Sequence, residues 1–456
     1  MKNKLSFRFV ALLVAVVLSA FTATPSQGQD AAPAPAAPPA PAAPADTFFF
    51  QDGDTPAVFL GDSITEQKLY TTLIETYVLT RFPAMKITFR NAGWGGDTAW
   101  LSKRGDFDAG LKRDVLDLKP KAVTIDFGMN DARGGDATFT KYLEYTTKLV
   151  KDLEKAGARI ALISPSPEER YEPGAPAGSA YNVMLKKYAD GMKEVADNEK
   201  VLYIDQYTPF VALIEAGRKA GVLDAMAAPG DPNAVRLTNE GIHPNWGGHL
   251  IMATIILQAM HAPADVSSVT VDAAGHSIIS SQGCTVEWQN GPEGQVQFKR
   301  TDEALPWPLP TDPRIDTVLK IPGFDPITAL DRYGLKVTGL KEVAYALTID
   351  NVPVGVYSSA DLANGVNLAP VHQGPIYDQE QELLKTVIAK NDAYFQRWRN
   401  VQLYDMPPWL GGNSTVEGIR TAEITRLDTA IADDETSIET LRQPGAHIFR
   451  LAPVPK

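Results

Sequence analysis

The chain has 456 residues, 44% hydrophobic and 9% aromatic, enough apolar material for one large domain and a smaller companion. Its formal net charge of −12 argues against nucleic acid or an anionic membrane surface as a partner. A single cysteine, Cys284, excludes an internal disulfide, so stability has to come from the core.

Taken in chain order, the first 28 residues read as a secretory signal peptide. Lys2, Lys4 and Arg8 form a positive n-region, residues 9–20 are apolar but short for a bilayer span, and small and polar residues follow. The stretch around Ala23 and the Ser26-Gln27-Gly28 run are both candidate cleavage regions, and an uncleaved N-terminal anchor is the alternative. No later segment has the apolar length of a membrane span, so a soluble mature protein, periplasmic or secreted, is expected. Residues 29–47 form a linker, because 31–45 is almost pure Ala and Pro and such a composition builds extended chain rather than a core.

From residue 48 to 263, apolar runs alternate with amphipathic ones. Strands are predicted at 57–60, 85–90, 122–127, 159–164 and 201–205, with helical patterns at 69–82, 139–156 and 181–198 between them. Five strands alternating with helices imply an α/β domain with a parallel sheet covered on both faces. After Pro263 the pattern changes. A β-rich region is expected over 264–370, with a hairpin at 285–288 and 295–298 and a strand pair at 345–349 and 352–356. A helical region follows over 371–456. There Ser414 and Glu417 have capping-box spacing, and residues 424–441 keep a 3–4 apolar rhythm. Residues 379–399 are the expected antiparallel partner of that helix.

Four predicted strand ends or loops carry polar residues. Ser63 follows the first strand and Asn91-Ala92-Gly93-Trp94-Gly95-Gly96-Asp97 the second. Gly128-Met129-Asn130-Asp131 follows the third, and Asn239-Glu240-Gly241-Ile242-His243-Pro244 comes late in the domain. In a doubly wound sheet the carboxyl-end loops converge. A serine, a histidine, an amide side chain and a glycine N–H brought together are the parts of acyl transfer. Each residue also has a plain structural role open to it. Ser63 is a candidate helix cap, Asn130-Asp131 a candidate Asx-turn and Gly93 to Gly96 a turn needing positive φ. Asp62 is expected to bond loop backbone. His249 near His243 suggests a metal pair, but a third ligand is not evident. Trp94, Trp100 and Trp246 lie near these loops, either to stack on a sugar ring or to pack beneath the loops.

These motifs resemble the GDSL or SGNH hydrolase family over residues 48–263, and residues 345–369 resemble extensions of large secreted bacterial members. The resemblance implies a flavodoxin-like SGNH hydrolase fold with a central five-stranded parallel sheet, followed by a smaller β-rich and helical-hairpin region. It implies Ser63 as nucleophile and His243 as general base. Ser63 N–H, Gly96 N–H and the Asn130 side chain would form the oxyanion hole, with no metal or cofactor. The family places aspartate three residues before the histidine, where this chain has Glu240; Glu240 as third member is expected, with a Ser–His dyad as the alternative. No G-x-S-x-G elbow surrounds Ser63. A serine esterase is therefore expected, acting on a small ester or acetylated polysaccharide and foremost a carbohydrate O-acetylesterase. A lysophospholipase or broad short-chain esterase, or a carbohydrate- or surface-binding protein with a vestigial site, are the alternatives.

Overall fold

The computed structural model describes residues 47–169, 180–224 and 235–455. The predicted signal peptide and almost all of the Ala/Pro linker lie outside the described residues.

The first half is built from β1 (Ala57–Gly61), α1 (Ser63–Glu66), α2 (Leu69–Arg81), β2 (Phe89–Gly93), α3 (Phe107–Asp114), β3 (Ala122–Asp126), α4 (Asp136–Lys155), β4 (Arg159–Ile163), α5 (Ala180–Glu199), β5 (Leu202–Ile204), α6 (Tyr207–Lys219) and α7 (Trp246–Ala259). The strands lie in the order β2-β1-β3-β4-β5, and every neighbouring pair is parallel. All five residues of β1 and of β3 are buried, as a parallel strand covered on both faces requires. The order reverses direction at β1 and β3, where such sheets open a crevice at their carboxyl ends. Register places Gly61 beside Gly93 on one side and beside Asp126 on the other, so the three central strands end level.

The second strand begins later than the sequence reading expects. Pairing starts at Phe89, opposite Ala57, not at Met85. The residues before it are held by the N-terminal loop instead: Lys86 N–H donates to Asp52 Oδ1 at 2.7 Å and Thr88 N–H to the Asp54 carbonyl at 3.1 Å.

The second half contains β6 (Asp265–Asp272), β7 (Ser277–Gln282), β8 (Cys284–Gln289), β9 (Val296–Asp302), α8 (Pro313–Val318), α9 (Pro326–Leu330), β10 (Arg332–Thr338), β11 (Ala344–Ile349), β12 (Val352–Ser358), α10 (Ser359–Asn364) and β13 (Val366–Asn367). They are followed by α11 (Pro375–Phe395), a π-helical segment Gln396–Gln402, α12 (Ser414–Leu441) and β14 (Ala446–Pro453). Two sheets result, β13-β10-β6-β7 and β12-β11-β14-β9-β8. Their inner faces bury Val271, Phe298, Leu335, Leu347 and Phe449. Arg300 is buried among them, bonded to Asp302 at 2.8 Å and to Ser267 Oγ at 2.7 Å. The expected hairpin and strand pair are β8–β9 and β11–β12. β14 is an addition: it lies inside its sheet, antiparallel to both β11 and β9. At the start of α12 the cap is Asn413, one residue earlier than Ser414; its side chain accepts from Thr415 N–H and Val416 N–H.

The two halves share one hydrophobic core, to which Trp307, Val318, Leu383, Val387, Trp398 and Ile438 contribute from the second. The reason lies in α2, which is buried from Tyr70 to Arg81 on all sides. A helix of that kind needs cover on the face turned away from its sheet. That cover comes from the second half. Lys390 of α11 pairs with Glu75, and Asn391 donates to Glu75 Oε2 at 2.9 Å and Thr72 Oγ1 at 3.1 Å. Trp307 Nε1–H donates to the Leu73 carbonyl at 2.9 Å, and Arg81 meets Asp331 at 3.2 Å.

Candidate active site

Ser63 begins the short helix α1 directly after β1. The capping role open to it in the sequence is filled by Asp62, whose Oδ1 accepts from Ile64 N–H at 2.9 Å. The Ser63 hydroxyl is thereby left for another partner, His243 Nε2 at 2.8 Å. At the far side of the ring, Nδ1 bonds Glu240 Oε1, and the same carboxylate oxygen accepts from the His243 backbone N–H at 3.1 Å. A carboxylate at Nδ1 fixes the proton there, leaving the Nε2 lone pair to accept from Ser63 Oγ–H. The glutamate's extra methylene is accommodated because Glu240 folds back over its own turn.

Two N–H groups close to this pair are uncommitted. Neither Ser63 N–H nor Gly96 N–H has an acceptor among the described residues. Gly96 adopts φ +74°, a conformation that favours glycine. Asn130 donates one amide hydrogen to the Asp97 carbonyl at 2.9 Å; the other has only a 3.3 Å contact with Asp62 Oδ2. These bonds tie the loops after β1, β2 and β3 together, and the histidine loop reaches the same place through Ser63. The four motifs therefore converge, and the arrangement can polarise a hydroxyl and hold a developing negative charge.

Several residues position the site, and two of them, Glu169 and Arg104, carry no motif in the sequence. Gly93 is required by close approach: a Cβ there would stand 2.2 Å from Glu66 N. Glu169 is buried after β4 and holds the histidine loop, accepting from Leu237 N–H, Thr238 N–H and Thr238 Oγ1–H at 2.7–3.1 Å. Its own N–H donates to the Gly241 carbonyl at 2.8 Å. Burial pushes the Glu169 carboxyl up, against those hydrogen bonds. Asp131 accepts from Ala99 N–H at 2.9 Å and Gly128 N–H at 3.1 Å. Asp62 and Asp131 are both pushed up to about 7, chiefly by burial, with neighbouring carboxylates adding to the effect. Charge repulsion beneath the site is relieved by Arg104, wholly buried between Asp97 at 2.7 Å and Asp114 at 3.2 Å. A run of residues this far apart leaves no spacing signal in the chain.

His249 is not paired with His243 as a metal ligand set. It is buried in α7, accepts from Tyr70 N–H at Nδ1 and donates from Nε2 to Gln67 Oε1 at 3.0 Å. Burial lowers its pKa to about 3, so it is a neutral structural residue. Trp94 is likewise occupied, under the guanidinium of Arg399 at 3.5 Å and edge-on to Trp398.

Residues 59–251 match the model of the GDSL-like lipase/acylhydrolase family. No curated protein sequence matches the chain. Among solved structures, a gut microbial diltiazem-metabolizing enzyme is similar over 90% of this chain and 99% of its own, with 25% identity and a TM-score of 0.73. The acetylxylan esterase Axe2 from Geobacillus stearothermophilus is similar over 47% of this chain and 98% of its own, with 20% identity and a TM-score of 0.37. LAE5, an alpha/beta hydrolase enzyme from the metagenome of Lake Arreo, Spain, is similar over 47% and 97%, with 24% identity and a TM-score of 0.37. Residues 59–251 are thus a domain of the GDSL-like lipase/acylhydrolase family on a five-stranded parallel sheet, and the chain is a carboxylic ester hydrolase.

Proposed function

We propose that the protein is an exported serine esterase that removes short acyl groups from small esters through an acyl-serine intermediate. The observation carrying this reading is the continuous hydrogen-bonded line from Ser63 Oγ through His243 to Glu240, beside two uncommitted N–H groups and Asn130. His243 Nε2 takes the Ser63 proton as Oγ attacks the ester carbonyl. The oxyanion is held by Ser63 N–H, Gly96 N–H and Asn130 Nδ2. The tetrahedral species collapses, the alcohol leaves with the proton from His243, and water activated by the same ring hydrolyses the acyl-serine. Glu240 keeps the ring in the right tautomer and stabilises the imidazolium.

For substrate size, the extended likeness to a drug-metabolizing enzyme supports a small ester. A carbohydrate O-acetylesterase is the second reading, favoured by Trp246, half-buried three residues after His243. Trp94 no longer speaks for it, since its ring is covered. Export rests on the basic and then apolar N-terminal sequence.

Release of p-nitrophenol and acetate from p-nitrophenyl acetate, measured beside Ser63→Ala prepared identically, tests the reading. Activity in the wild-type chain and its loss in the variant is the expected result. Equal rates in the two proteins would dismiss Ser63 as nucleophile. Acetylated xylo-oligosaccharides, assayed next against small aryl and alkyl acetates, separate the two substrate classes.

A further inference from the structure

The loop from Gly93 to Asp97 carries the Gly96 N–H, and it is held from two directions. From within, Arg104 donates to the Ala92 carbonyl at 2.7 Å and to Asp97 Oδ2 at 2.7 Å, pinning both ends. The middle is held from outside by the second half of the chain. The Arg399 guanidinium lies 3.5 Å from the centre of the Trp94 ring, and its Nη2 is 3.3 Å from Glu66 Oε1. Glu66 closes α1, three residues from Ser63, and its Oε2 lies only 2.7 Å from where a Cβ on Gly95 would stand. Arg399 thus touches the ring of the loop's one large side chain and the carboxylate lodged against the next residue.

The segment presenting Arg399 is built for this contact. Residues Gln396–Gln402 are π-helical, a widened turn that recurs at functional positions because it redirects side chains. Here it turns Trp398 and Arg399 together onto the loop. Trp398 Nε1–H donates to Asp114 Oδ1 at 3.1 Å, and the same carboxylate's Oδ2 receives Arg104 at 3.2 Å. The outer and inner clamps therefore share Asp114.

We propose that Arg399 is a positioning residue for ester hydrolysis: by stacking on Trp94 and pairing with Glu66, it holds the Gly93–Asp97 loop so that Gly96 N–H faces the developing oxyanion. This rests on the assignment of Gly96 as an oxyanion donor. It gives the C-terminal helical hairpin a part in the chemistry without contact with the substrate. Positional errors of about 1 Å in such a donor cost on the order of 10²-fold in rate.

The test uses the full chain and p-nitrophenyl acetate, with kcat, KM and thermal midpoint measured for each variant. Arg399→Met keeps packing on Trp94 and removes the charge, so it remains informative where Arg399→Ala fails to fold. Arg399→Met should lower kcat about 10- to 100-fold with KM close to wild type. Arg399→Lys, which keeps the charge but not the planar stack, should recover part of the loss. A wild-type kcat in Arg399→Met beside a lowered kcat in Asn130→Ala would overturn the proposal while leaving the oxyanion site in place. A purely structural Arg399 would lower the thermal midpoint and leave kcat at wild type below the unfolding range, which would overturn the proposal. Wild-type rates in Ser63→Ala and Asn130→Ala would instead remove the active-site assignment, and the role of Arg399 with it.

Discussion

Asn130 spends one amide hydrogen on the Asp97 carbonyl and holds the other at a long 3.3 Å from Asp62, so that second hydrogen is the one available to an oxyanion. Replacing Asn130 with Ala should lower kcat by about 10²–10³, the usual cost of one such donor; an unchanged rate on a confirmed ester would exclude it. Glu240→Gln addresses the third member. A fall of about 10⁴ in kcat is expected where the carboxylate fixes the tautomer, whereas a loss of a few-fold would leave a Ser–His dyad. The buried carboxyls beneath the site give a pH signature. Asp62 and Asp131 stand near 7 in the folded chain, against about 3.9 when unfolded. The folded state therefore holds protons that the unfolded state has released. Their stabilising contribution is complete below about pH 4 and is lost as pH rises through about 7. Asp131→Asn should flatten the fall in unfolding free energy between those limits, followed by denaturant titrations at several pH values. An unaltered slope would show that Asp131 is ionised throughout.

At the scale of elements, the contact between α11 and α2 is polar at its centre. Lys390 and Glu75 are both nearly inaccessible, and removing one charge strands the other. Lys390→Met should cost about 3–5 kcal/mol, while Lys390→Met with Glu75→Leu should recover most of it; denaturation midpoints of the three proteins decide. The β/α alternation and the polar residues at strand ends were legible because both are local: apolar runs of five residues, glycines, and Ser, Asn and His in short motifs. Glu240 entered through the family resemblance, as the residue standing where the family carries an aspartate, and its carboxylate is bonded to the His243 ring. What was not legible depends on partners far along the chain. The strand at 446–453 follows a proline and a glycine and shows its nature only between β9 and β11. Glu169 and Arg399 look like ordinary surface charges in the sequence; their burial or stacking is set by residues about 70 and more than 300 positions away. The shift of β2 to Phe89 has the same origin, since the N-terminal loop takes the backbone groups that precede it.

For the whole molecule, residues 43–456 form one compact unit, and the second half covers a helix that the hydrolase sheet cannot cover by itself. The C-terminal region thus contributes side chains to the core of the hydrolase half. The likeness that spans 90% of this chain extends over both halves, as a shared core would require. Position also governs timing. β14 is the last strand of the chain, yet it sits in the middle of its sheet. Until it has been synthesised, β9 and β11 have no common neighbour and the sheet exists as two unjoined pairs. Closure of this sheet therefore depends on β14, without which β9 and β11 have no shared partner.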